Sequence, residues 1–378
     1  MVAAKPHEER SVLVLNRRGY LQIPQGTEGF YLDEAYRHKK LTAEVEQLLY
    51  LWGYLPVQTP VFDYYDAYAA LLSEDEARKI YRLIDRDGDL LMLRSDVTLF
   101  LAKQMGMILR RDDLPMRVCY ADTILRHQNR EDISKNEFFQ TGVELIGPDT
   151  LDADLEVILL LRRTLQQIGA PLYYIHIGSR ALFNAGFDQA DAAVGARLRR
   201  AIVLRDMQEL SAECTQLGIS TARSRALQQL FSYIGDATGL SVLANSLRSE
   251  LQAAELRQIE RLQQLYNTLN EADDSGSYRI DLSEIGSQSY HTGIVFQAYV
   301  DGLDASVAAG GRYDRLYGRF GLDTPAVGFS IMLRKLQDDA AVDARFTPQI
   351  SEAATGRTFV QRFRDAEARR RAGGSATL

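Results

Sequence analysis

The 378-residue sequence has only two cysteines, Cys119 and Cys214, both in apolar or helical surroundings. A disulfide framework or a zinc site is therefore not expected, and a reducing cytoplasm is the natural compartment. No apolar run approaches the ~20 residues that a spanning helix needs. The opening MVAAKPHEERSVLVLNRRG lacks a basic leader followed by a hydrophobic segment and a small-residue cleavage site. A cytoplasmic protein, not a membrane protein, is expected. Positive charge is also scarce: 44 Lys and Arg face 51 Asp and Glu, a net of -7. Nucleic-acid binders usually carry a basic excess or stripe, because phosphate neutralisation dominates that affinity. The densest basic run here is AEARRRAGG near the C-terminus, which reads as a solvated tail. Neither a GxxxxGK[ST] loop nor a strand-borne GxGxxG occurs, so both common nucleotide fingerprints are excluded.

What is present reads as helices alternating with strands. With 46% hydrophobic residues the chain can bury one large core or two smaller ones. A helix is expected from about Leu32 to Trp52, with Leu41, Val45, Leu48, Leu49 and Trp52 on one face, Asp33 as candidate N-cap and Gly53 as terminator. LPVQTPVF follows as an extended segment, in which Pro60 excludes a helix interior and favours a sheet edge or interface. A strand from Lys79 to Ile84 turns into LLMLR, and Ser95 or Asp96 caps a helix beginning VTLFLAKQM. MRVCYADTILR and NEFFQTGVELIG form a long-looped antiparallel hairpin, with polar residues from Asn129 to Asn136 between them. On its second strand Gln140, Gly142 and Glu144 share one face, and Phe139, Thr141, Val143 and Leu145 the other. An acid and an amide separated by a glycine suggest a floor for a small polar ligand. Spacing alone does not separate that floor from an ordinary solvent-facing strand.

Asp149 or Thr150 then caps a long helix ending at Gly169, and LYYIHIG is a strand on which His176 is expected as a satisfied core or edge histidine rather than a ligand. From about 185 to 272 the chain reads as a helical insertion in which no motif carries chemistry. The sheet resumes with YRIDLS and EIGSQSYHTGIVFQAYV, where GSQSYHTG is small, polar and uncharged like the lining of a pocket. It ends in AAGGRYDRLYGRFGLDTPAVGFSIMLRKL, with Arg312-Tyr313-Asp314 opening a short helix and Val327-Gly328-Phe329 running into a final one. A largely antiparallel sheet flanked by helices places the chain in the α+β class.

These motifs resemble the catalytic core of class II aminoacyl-tRNA synthetases, and specifically the histidyl enzyme. The helix with VQTPVF is similar to the dimer-forming first motif, LRH...FFQTGVELIG to the second and GGRYD...TPAVGFSIMLRKL to the third, while DLSEIGSQSYHTGIVFQAY matches the histidine-specific segment. The resemblance covers about residues 20 to 340, as one synthetase-like domain (1–340) with a tail (341–378) too short for the anticodon-binding domain that synthetases append. By resemblance the histidine-binding residues are Asp96, Thr98, Arg126, Gln140, Glu144, Tyr290 and Tyr313. A homodimer through the 32–65 region is implied likewise.

The adenylate-forming machinery departs from the family. Joining ATP to a carboxylate needs cations where negative charge develops. The catalytic arginine of the histidine-specific segment falls on Gly286, and the arginine of the third motif becomes Lys335, preceded by Arg334. Met332 replaces a small residue, and the hairpin loop has as many acids as bases. Lysine does not replace arginine at a bidentate phosphate contact. A disabled synthetase that keeps its histidine pocket is similar to the regulatory subunits of ATP phosphoribosyltransferase. This resemblance implies a hetero-oligomer with a short-form catalytic ATP phosphoribosyltransferase subunit, histidine as feedback effector in histidine biosynthesis, and no tRNA partner, catalytic residue, metal or cofactor. A divergent or truncated histidine-activating ligase, with Arg334 or Arg312 as substitute cation, is the alternative from another class. A free-standing interaction module is a third.

Overall fold

The computed structural model describes residues 26–27, 29–127, 136–273, 275–337, 350–351, 358–373 and 375–376. The hairpin loop at 128–135 lies outside the described residues.

Helix α1 (Leu32–Leu51) buries Leu41, Val45 and Leu49, spaced four apart, against the sheet. Its N-cap is Tyr31, without a side-chain cap, so Asp33 is not the cap; it sits in the first turn with Glu34, where negative charge suits the helix dipole. Strand β1 (Leu55–Pro56) pairs with the outer edge of the main sheet, where a proline costs no ladder bond. β2 (Phe62–Tyr64), β3 (Arg82–Ile84) and β4 (Leu90–Leu93) form a small sheet in the order β2-β4-β3. Between them, α2 (Glu74–Arg78) opens on a capping box in which Ser73 and Glu76 satisfy each other's backbone N–H. α3 (Val97–Ile108) is capped by Asp96, whose carboxylate accepts from the Leu99 N–H at 3.0 Å.

The hairpin of β5 (Met116–Leu125) and β6 (Glu137–Ile146) is the spine of the main sheet. α4 (Leu151–Ile168) starts at a Thr150 cap and ends at Gly169, whose φ of 82° is the left-handed conformation that a helix terminator requires. β7 (Tyr173–Ser179) leads into the insert: α5 (Arg180–Gly186), α6 (Ala192–Val203), α7 (Met207–Gln216), α8 (Thr221–Phe231), the two-residue β8 (Ile234–Gly235), α9 (Ala237–Ser246) and α10 (Ala253–Ala272). β9 (Tyr278–Asp281), β10 (Ile294–Val300), β11 (Ala308–Arg312), β12 (Ala326–Ile331) and α11 (Leu333–Gln337) complete the core. After Arg312 the chain makes turns and a single 3₁₀ helix at Tyr317–Phe320, rather than the short helix expected to open at Arg312. Within the tail, β13 (Ile350–Ser351) pairs with β14 (Ser375–Ala376), and α12 (Phe359–Arg371) carries the arginine run, its three consecutive arginines exposed.

Among the described residues, the main sheet has nine strands in the order β1-β5-β6-β12-β11-β10-β7-β9-β8. Its strands are antiparallel except for β1 with β5 and β7 with β9. The period of two on β6 decides where the site lies. Val143 and Leu145 enter a core shared with α4 and with insert residues such as Leu198, Leu230 and Leu262. The opposite face packs a second cluster built from Phe100 and Leu101 of α3, Tyr120 of β5, Tyr313 and Tyr317. Gln140, Gly142 and Glu144 belong to that second face, beneath the start of α3.

Candidate functional site

The N-terminus of α3, the middle of β6 and the approach to β10 converge on one small pocket. Its cavity of about 50 Å³ is lined by Asp96, Thr98, Glu144, Tyr290, His291 and Tyr313, together with Ser287, Gln288, Ser330 and glycine backbone at 310 and 328. Five of the seven residues expected from the sequence thus share one cavity. Arg126 stands beside it, its Nη2 3.3 Å from Asp96 Oδ2. Gln140 is buried but does not line the cavity; its amide approaches the lining residue Ser330 at 3.5 Å.

Glu144 is the centre of the floor. Thr98 Oγ1 donates to its Oε1 at 2.6 Å and the Tyr313 hydroxyl donates to its Oε2. Gly328 lies directly opposite in the β12 ladder, and any Cβ there would overlap the Glu144 carboxyl, which explains the glycine. Burial pushes the Glu144 carboxyl up from the ordinary 4.5 to about 8; the bonds from Thr98 and Tyr313 oppose this, and the nearby Asp96 adds to it. Asp96 is likewise raised by burial, against the pull of Arg126. It caps α3 through Oδ1, while its Oδ2 accepts from the Tyr290 hydroxyl at 3.3 Å. Tyr290 and Tyr313, raised well above 10 by burial, stay protonated donors. Two buried carboxyl groups ringed by phenols, with no cation among the lining residues of the small cavity, suit a small cationic group that also carries a ring or polar donor.

Where the family carries a catalytic cation, the chain places something else. Gly286 has φ 76°, and a Cβ built there would meet the His291 imidazole and Val295. An arginine at 286 therefore has no room without moving both. His291 itself is held neutral, its pKa lowered to about 3 by burial and the charge of Arg180. The Lys335 ammonium donates to the Ser306 carbonyl at 3.0 Å and does not line the pocket. Arg312 pairs with Asp154 at 2.6 Å and with Asp314 at 3.3 Å. Arg334 lies over the Phe30 ring at 4.0 Å. The cations considered as substitutes are thus engaged elsewhere.

His176 Nδ1 is 3.0 Å from Asp281 Oδ2, as a satisfied histidine requires. With Glu284 these residues bring three potential metal-ligand atoms together. The carboxylates are already used: Arg205 contacts both oxygens of Asp281 at 2.9 Å, and Glu284 accepts from Gln297 at 2.6 Å and Tyr299 at 2.7 Å. The group is an internal ion-pair network rather than an open coordination site.

Sequence reasoning missed Arg180 and Arg199. Arg180 is buried, and its guanidinium donates to the carbonyls of Ile285, Gly286 and Gln288. A charged residue inside the apolar stretch RALFNAGF was the available signal. The insert also contributes Arg199 and Arg200 to a larger cavity adjoining the pocket.

Known proteins share this fold. The histidyl-tRNA synthetase family matches residues 26–336. An ATP phosphoribosyltransferase regulatory subunit of Geobacter sulfurreducens is 31% identical over 337 residues, covering 87% of this chain and 76% of the relative. One of the same description from Bacillus licheniformis is 31% identical over 300 residues, covering 79% and 76%. The crystal structure of an ATP phosphoribosyltransferase regulatory subunit/histidyl-tRNA synthetase from Bacillus halodurans superposes with a TM-score of 0.82 at 25% identity, covering 96% of this chain and 93% of that one. With a synthetase fold and relatives at this identity over most of their length, the chain belongs to the ATP phosphoribosyltransferase regulatory subunit family, a branch of the histidyl-tRNA synthetase fold.

Proposed function

We propose that the chain is the non-catalytic regulatory subunit of an ATP phosphoribosyltransferase, assembling with a short-form catalytic subunit and carrying histidine feedback inhibition through the Glu144 pocket. The observation that carries this reading is the pairing of a kept pocket with a filled cation position: Asp96, Thr98, Glu144, Tyr290 and Tyr313 converge, while His291 and Val295 occupy the space beside Gly286. A histidine ammonium and imidazole suit the carboxyls and phenols, with Arg126 and Gln140 orienting them from behind. The negative charge that builds up during adenylate formation meets no cation from position 286, and Arg126 is held by Asp96. On this reading tRNA is not a partner, and the chain forms a homodimer through the 32–65 region.

Feedback requires histidine to bind one state of the assembly better than another, by the ~1–3 kcal/mol typical of allosteric coupling. The experiment is calorimetric titration of histidine into the complex of the two subunits, with and without Glu144→Ala. A loss of at least about tenfold is expected, and unchanged affinity removes Glu144 from the site. The chain alone is expected to show no histidine-dependent ATP–pyrophosphate exchange; robust exchange would favour an activating ligase instead.

A further inference from the structure

The pocket wall between β9 and β10 has little regular structure of its own. Among the described residues, 285–293 pair with no neighbouring strand, yet Ser287, Gln288, Tyr290 and His291 from this segment line the small cavity. Where water is excluded, the carbonyls of such a segment need partners from outside it. One residue supplies them at both ends. Arg180, the first residue of α5, is buried, and its guanidinium donates from Nε to the Ile285 carbonyl at 2.6 Å and from Nη2 to those of Gly286 at 2.6 Å and Gln288 at 3.1 Å. Its backbone N–H donates to the Gly293 carbonyl at 2.8 Å. The segment is therefore a loop closed on a single residue.

The surroundings fit a loop held from the inside. A Cβ at Gly178, two residues before Arg180, would overlap the Glu284 carbonyl, so the end of β7 and this connection lie in direct contact. On the outer side Ser289 Oγ donates to the Leu71 carbonyl at 2.6 Å and its N–H to Glu76 at 3.3 Å, both at the protein surface. Burial, and after it the charge of Arg199, lowers Arg180 to about 10, with Glu76 opposing, so the guanidinium stays charged near neutral pH. Its planar fork of donors serves three carbonyls in fixed directions, which a lysine ammonium does not reproduce.

We propose that Arg180 is a positioning residue for the ligand of the Glu144 pocket. It does not line the small cavity; it sets the wall that carries Tyr290 and His291 before the ligand arrives. A binding surface ordered in advance gains affinity, because the cost of ordering it is not met on binding. This role rests on the pocket being a histidine site.

Histidine is titrated into the complex of the two subunits with the wild-type chain, Arg180→Lys, Arg180→Met or Glu144→Ala, and amide hydrogen exchange is followed by mass spectrometry on the same samples without histidine. Arg180→Lys is expected to lose protection over 285–293 while α6 to α10 keep theirs, and to bind histidine roughly tenfold more weakly. Proton release per histidine bound, read in two buffers, stays at the wild-type value because Glu144 is intact. Arg180→Met shows the same pattern to a greater degree, and where it fails to fold Arg180→Lys decides alone. Unchanged protection at 285–293 in Arg180→Lys, or lost protection there with wild-type affinity, overturns the positioning role. So does protection lost throughout the insert, which makes the residue a support of the fold, or altered proton release, which puts it in contact with the ligand or Glu144. Weakened binding in Glu144→Ala beside unaffected Arg180→Lys removes Arg180 alone; wild-type binding in Glu144→Ala places the fault with the pocket.

Discussion

Glu144 couples ligand and proton. With its carboxyl at about 8 in the empty pocket, a ligand cation that favours the ionised form must displace a proton when it binds near pH 7. Calorimetry at pH 7 in two buffers of different ionisation enthalpy is expected to report proton release on histidine binding, fading as the pH rises through 8 and absent in Glu144→Gln. The same shift acts on stability. The folded pKa lies above the ordinary 4.5, so the native state holds more protons than the unfolded chain between these values, and stability falls as pH rises through that window. Glu144→Gln keeps one acceptor oxygen for Thr98 or Tyr313, turns an amide donor to the other hydroxyl, and removes the buried charge. Its melting temperature relative to wild type is expected to be higher at pH 8 than at pH 5, while its histidine affinity drops. At this scale Glu144 and Asp96 were legible in the sequence, because strand period and capping chemistry are local. Arg180 was not, since its partners are the carbonyls of Ile285, Gly286 and Gln288, and no spacing rule reaches that far.

At the scale of elements, α3 does two jobs with one side chain. Asp96 caps the helix through Oδ1 and turns Oδ2 toward Arg126 and Tyr290. Asparagine caps a helix about as well as aspartate, and alanine costs ~1 kcal/mol. Asp96→Asn is therefore expected to melt near wild type yet bind histidine at least about tenfold more weakly, whereas Asp96→Ala loses stability as well. Equal histidine affinity in Asp96→Asn would leave the residue a cap and nothing more. The helices and strands around this cap were readable from periodicity and turn residues. The segment after Arg312 was not: Gly318 and Gly321 punctuate it, Gly321 at φ 99°, and the chain settles into one 3₁₀ helix. Arg312, weighed from sequence as a substitute cation, is drawn instead to the buried carboxylate of Asp154 at the start of α4.

For the whole molecule, the edge formed by α1, β1 and β2 exposes Leu51, Leu55, Val61, Phe62 and Tyr64. Exposed large apolar side chains of this kind can belong to an interface, and these fall in the 32–65 region proposed for the homodimer. Phe62→Asp is expected to shift the sedimentation coefficient from dimer to monomer at micromolar concentration; an unchanged dimer places the interface elsewhere. The sheet class and the insert were visible in the sequence, but the way the insert joins the sheet was not, because two residues of β8 leave no periodic trace. That small junction has a mechanical consequence. β8 pairs with β9, the Leu282 N–H donates to the Tyr233 carbonyl at 3.0 Å, and Arg205 grips Asp281. Five residues further on, Arg180 pins the carbonyl of Gly286. The chain between is a short strap fastened at both ends to residues of the insert, so any displacement of those helices is expected to be felt at the pocket wall.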